Sequence, residues 1–99
     1  MARPSKVYRF DRELARRILE LTQARADGIT TLEMTAIEEF GEHPYQAIVA
    51  NVLHLWDDAC LHLQSSVIET GPLEGSTNYH LLALTGIGRD RLEQLQESG

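Results

Sequence analysis

Leu61-His62-Leu63-Gln64-Ser65-Ser66-Val67, then Thr70-Gly71-Pro72-Leu73-Glu74-Gly75-Ser76, then Tyr79-His80-Leu81-Leu82-Ala83 is the stretch on which the fold turns. Leu61, Leu63 and Val67 share one parity, and Tyr79, Leu81 and Ala83 form another such run. That period of two marks strands with one buried face. The segment between them, rich in glycine and proline, is turn chemistry, so the whole reads as a β-hairpin.

On the N-terminal side of the hairpin the period changes to that of a helix. His43-Pro44 opens one, because proline costs nothing in a first turn whose amides have no partner. Tyr45, Val49, Val52 and Trp56, flanked by Ile48 and Leu53, form its expected apolar stripe, leaving Gln46, Ala47, Ala50, Asn51 and His54 outward. Further back, Thr30 and Glu33 have capping-box spacing, with Leu32, Ala36 and Phe40 on one side of a second helix ending at Gly41. Ile29-Thr30 precedes it as a very short strand. The first helix starts at Asp11, a capping residue type, and carries Leu14, Ile18 and Leu21 as far as about Arg25. Beyond the hairpin, Thr85 caps a closing helix with Ile87, Leu92 and Leu95 on one side.

This order of helix, short strand, helix, helix, hairpin and helix predicts an α+β, mainly α fold. It is a winged helix-turn-helix with three helices, a wing hairpin of two to three strands and a C-terminal helix. Residues 1–10 form an N-terminal arm and 11–99 a single domain, in keeping with 99 residues of which 42% are hydrophobic. Phe10-Asp11-Arg12-Glu13-Leu14-Ala15-Arg16-Arg17-Ile18-Leu19, Val52-Leu53-His54-Leu55-Trp56-Asp57-Asp58-Ala59-Cys60-Leu61 and Leu84-Thr85-Gly86-Ile87-Gly88-Arg89-Asp90-Arg91-Leu92 resemble a small winged-helix family of unknown function found in phages and prophages. The resemblance implies the fold and a phage context, and transfers no site. It departs from the family at Cys60, where glycine is usual, and at Gly86-Ile87, where an aromatic-acidic pair is usual.

Charge conflicts with that scaffold. Between Arg25 and Arg89 there is no lysine or arginine, while Asp27, Glu33, Glu38, Glu39, Glu42, Asp57, Asp58, Glu69 and Glu74 accumulate. Arg3, Lys6, Arg9, Arg12, Arg16, Arg17 and Arg25 give the first 25 residues a positive surplus within a chain of net charge -6. DNA presents roughly one negative charge per 1.7 Å of axis, so a recognition helix and wing without cations are repelled by it. There is no apolar run of the roughly 20 residues that span a bilayer, and no secretion-type apolar stretch near Met1. Together with a single cysteine, Cys60, this sets the expectation of a cytoplasmic protein.

No catalytic constellation emerges. His43, His54, His62 and His80 lack metal-ligand spacing, so no metal and no cofactor are expected. Cys60 has only His62 nearby as a base and reads as a buried, inert thiol. Gly86-Ile87-Gly88 lacks the further glycine of a phosphate loop and reads as a tight helix entry. The expected role is therefore non-enzymatic binding of a host or phage protein, nucleic-acid binders included, through Glu38, Glu39, Glu42, Asp57, Asp58, Glu69 and Glu74. Inhibitor, anti-repressor and anti-CRISPR-like counter-defence roles all fit. A homodimer or adaptor using exposed apolar residues such as Leu73 is a milder form. The alternative is a DNA-binding transcriptional regulator in which Arg12, Arg16 and Arg17 meet phosphates and Gln46 and Asn51 read bases.

Overall fold

The computed structural model describes residues 10–25, 32–37 and 40–98. Within them lie three α-helices, α1 (Arg12–Arg25), α2 (Tyr45–Asp57) and α3 (Gly86–Ser98), and three strands, β1 (Leu32–Glu33), β2 (Leu61–Val67) and β3 (Thr77–Leu84). The strands form one antiparallel sheet in the order β1-β3-β2. Among the described residues no helix is long and apolar enough to cross a membrane.

α1 forms as its spacing predicts. The Asp11 carboxylate accepts the Leu14 amide at 3.0 Å, satisfying one of the amides that a helix start leaves without a partner. Leu14, Ala15, Ile18 and Leu19 are buried and pack against α2, α3 and β3. Thr85 caps α3 in the same manner, its hydroxyl accepting the Gly88 amide at 3.0 Å.

The expected helix between Thr30 and Gly41 is a correction. Its described part holds only a 3-10 turn, Met34–Ala36, preceded by β1. Strand pairing took Glu33, which the capping box needs: it is extended (φ -83°, ψ 138°) and lies opposite His80, with Leu32 opposite Leu81. The short strand thus lies at Leu32–Glu33, later than expected, while Ile29 and Thr30 fall outside the described residues.

The hairpin forms where its turn chemistry places it. The Glu74 amide donates to the Gly71 carbonyl at 3.1 Å and the Gly75 amide to Ile68 at 2.8 Å. Gly75 sits at φ 88°, a backbone state that only glycine adopts without strain. The parity of β3 does not persist along the strand. Leu63 pairs with Leu81 and His62 with Ala83, so Leu82 is an extra residue bulged out of β3, and the buried positions become Asn78, Leu81 and Leu84.

α2 is turned relative to expectation. Ala47, Ile48, Asn51, Val52 and Leu55 are buried, whereas Trp56 is 52% exposed. The inward direction lies roughly a quarter turn from the predicted stripe. Ile87, also expected inside, is 54% exposed on α3, while Leu92 and Leu95 are buried.

Candidate functional site

α2 begins after Pro44, whose carbonyl accepts the Ala47 and Ile48 amides, and its solvent side carries Gln46, His54, Trp56 and Asp57. It ends in a Schellman motif. The Cys60 amide returns to Leu55 O at 2.8 Å and the Ala59 amide to Trp56 O at 2.9 Å, which requires Ala59 at φ 61°. The left-handed residue is thus Ala59, one before Cys60.

This helix end is clamped onto the start of α3. The Thr85 hydroxyl donates to Ala59 O at 2.5 Å, the Thr85 amide donates to Cys60 O at 3.0 Å, and Arg91 Nη1 reaches Asp58 Oδ2 at 3.2 Å. His54 Nε2 lies 3.5 Å from the same carboxylate oxygen. Asp58, expected from the sequence as part of a partner-binding face, is therefore already engaged by Arg91 of the same chain. Cys60 is fully buried here. Burial pushes its thiol above the ordinary range, with Arg91 opposing and Asp58 reinforcing the shift.

The Tyr45 hydroxyl donates to Thr77 O at 3.4 Å, tying the start of α2 to the tip end of the hairpin, while its C-terminus leads into the base of β2. α2 is about 20 Å long at 1.5 Å per residue. The expected acidic face is therefore divided: exposed Glu42, Glu69 and Glu74 belong to the tip end, and Asp57 and Asp58 to the base. Glu38 and Glu39 lie outside the described residues. Leu73, in the tip, is half-buried.

Sequence reasoning left one polar group out. Glu33, Thr35, Ser66, Glu69, Asn78 and His80 line a recess of about 250 Å³ on the open face of the sheet. Ser66 Oγ and His80 Nε2 are 2.8 Å apart, and Asn78 is buried, accepting the Thr35 amide at 3.2 Å and donating to Glu33 at 3.4 Å. The signal was present as the polar, even-numbered parity of Gln64, Ser66, Asn78 and His80, but Glu33 joins only through pairing across the sheet.

The expected nucleic-acid residues fare unevenly. Asn51 is 1% exposed; its Oδ1 accepts the Asp11 amide at 2.8 Å and its Nδ2 donates to Ala47 O at 2.9 Å. It is a joint between α1 and α2 and cannot reach a base edge, which corrects its assignment. Gln46 and Arg12 are exposed. Arg16 bonds Glu20 at 2.9 Å, and Arg17 lies over the Phe40 ring at 4.1 Å. Glu20 also accepts from Gln96 at 3.0 Å; that bond first, and then Arg16, hold its carboxyl below the usual range against the opposing effect of burial. No family model matches the chain, and no curated protein or solved structure matches it either.

Proposed function

We propose that this chain is a winged helix-turn-helix protein of the phage and prophage type its sequence resembles, and that it acts by binding a protein partner with a basic surface. The sheet order, with the hairpin following directly on α2, supports the winged reading. The observation that carries the functional one is the composition of the surface a DNA reader would press on its target. Asn51, the amide best suited to pair with adenine, is buried. What α2 and the hairpin tip expose is Gln46, His54, Trp56, Asp57, Glu69 and Glu74, without a lysine or arginine. An exposed tryptophan beside Asp57, with Glu69 and Glu74 at the far end of the same helix, suits a cationic protein surface, since aromatic anchors concentrate binding energy and flanking charges steer encounter. Inhibition of a nucleic-acid-binding factor, anti-repression or counter-defence would follow from occupying such a groove.

The test is capture from the native host with nuclease present, comparing the unaltered chain with Trp56→Ala and with the double variant Glu69→Lys, Glu74→Lys. Loss of the captured protein in both is expected. Undiminished capture by folded variants would remove the proposal.

A second reading has one observation in its favour. Phe10 packs on His54 with ring centroids 4.5 Å apart, and Thr85 bonds Ala59, so α1 and α3 both begin beside the C-terminal half of α2. Exposed Arg12 and Arg89 are thereby brought to one end of the molecule. DNA binding through these residues predicts a gel shift at about 50 mM salt that fades steeply as salt rises. Its loss in Arg12→Ala, Arg89→Ala would support this reading, and no shift at low salt would exclude it.

A further inference from the structure

β2 is the outer strand of the sheet, and among the described residues nothing pairs with its far side. Exposed edges of this length invite other chains, and proteins usually guard them with charges, prolines or bulges. β2 has none of these guards. Leu61–Val67 contains no Lys, Arg, Asp, Glu or Pro, and the bulge lies on β3. Val67, at the end of the strand, is 65% exposed.

Hydrogen bonding shows which backbone groups face outward. Ile68 bonds inward to Gly75 and Ser76, and Cys60 inward to Thr85. Antiparallel ladders alternate, so even-numbered residues of β2 bond to β3, while Leu61, Leu63, Ser65 and Val67 point their N–H and C=O groups away from β3, with Leu61 buried, Leu63 half-buried and Ser65 and Val67 exposed. These four positions are symmetric about Gln64. We infer that β2 pairs antiparallel with β2 of a second copy about a two-fold axis at Gln64, joining the two sheets into one. Leu61 then faces Val67 of the partner copy and Leu63 its Ser65, each exchanging both backbone bonds. The register uses every outward-facing group, places no charge opposite a like charge, and gives exposed Val67 an apolar neighbour. Among the described residues the other edge strand, β1, is two residues long.

Sedimentation equilibrium of the full chain from about 10 to about 300 µM tests this. Self-association is expected, and Ser65→Pro, which deletes an outward N–H while sparing every bond to β3, should weaken it at least tenfold with an unchanged circular dichroism spectrum. Gln64→Glu, placing two carboxylates across the axis, should do the same. Should either variant unfold, oxidative cross-linking decides. Gln64→Cys should form a disulfide-linked dimer, because directly opposed Cβ atoms lie about 4.5–5.5 Å apart, and Ser66→Cys should not. A chain that stays monomeric, a dimer indifferent to these substitutions, or an edge that takes up only foreign extended peptides would overturn the inference.

Discussion

Gly88→Ala tests whether α3 is held where the clamp implies. A Cβ built on Gly88 falls 1.9 Å from the carbonyl oxygen of Cys60, 2.8 Å from its carbon and 3.2 Å from its Cα. These are backbone atoms inside the Schellman turn of α2, and ordinary C···O contacts begin near roughly 3.3 Å, so α3 must retreat by more than about 1 Å. Retreat strains the two Thr85 bonds to Ala59 and Cys60 and opens space around Leu92 and Leu95. Overpacking costs about 1–3 kcal/mol and each lost hydrogen bond about 0.5–1.5 kcal/mol, against a helix-propensity gain near 1 kcal/mol for alanine over glycine. The net loss is about 2–4 kcal/mol, a large part of the roughly 5–15 kcal/mol available to a domain of this size. At about 4–8 °C per kcal/mol, the thermal midpoint followed by circular dichroism should drop by about 10–25 °C. Gly86→Ala is the internal control, since its Cβ meets nothing within 4 Å, and it should leave the midpoint unchanged or raise it. A Gly88→Ala midpoint within about 3 °C of the unaltered chain would refute the close approach of α3 to Cys60.

Asn51→Ala strands the part-buried Asp11 amide and should cost about 1–3 kcal/mol in denaturant unfolding; a neutral result would mean that the α1–α2 joint is not made through this amide. The Cys60 thiol should resist a disulfide reagent at mildly alkaline pH in the native chain and react at once in denaturant. Because folding raises its pKa, its contribution must fall as pH climbs through and above the ordinary thiol range, where only the unfolded chain ionises. Asp57→Asn removes an exposed carboxylate from the C-terminal turn of α2, where the helix dipole disfavours it, and should stabilise the chain by about 0.3–1 kcal/mol while weakening capture of a basic partner. Stabilisation with capture unchanged would show that Asp57 serves no partner.

Local chemistry was legible in the sequence, and pairing over distance was not. The Asp11 and Thr85 caps and the turn from Thr70 to Ser76 each depend on neighbours a few residues away, and each formed as read. The Thr30–Glu33 capping box failed because His80 and Leu81, far along the chain, drew Leu32 and Glu33 into a strand. The face of α2 was misjudged because large aromatic residues outweighed Ile48 and Leu55 in the apolar stripe, although the smaller side chains fit the gap over α1. Parity along β3 broke at Leu82, and a bulge leaves no mark in a run of apolar residues. The site suffered most. The contacts that set its electrostatics, Arg91 with Asp58, Asn78 with Glu33 and Gln96 with Glu20, join residues separated by 33, 45 and 76 positions.

Division of the acids between the two ends of α2 bears on how partner binding and self-pairing act on one another. In the register about Gln64, the tip of one hairpin runs past the base of the other, so Glu69 of one copy approaches the α2 terminus of the next, which carries Asp57 and the Asp58 bound by Arg91. Two copies would thus join acidic groups that a single chain keeps about 20 Å apart. The joined surface is larger and more negative than either half, and repulsion within it opposes pairing until counter-ions or a cationic partner screen it. Basic protein bound there must favour the pair, and by reciprocity the pair must favour the basic protein. Salt then separates the two events: raising it should strengthen self-association of the free chain by screening like charges, and weaken capture of the partner by screening opposite ones. Titrations that move in the same direction would show that the two surfaces do not share these carboxylates.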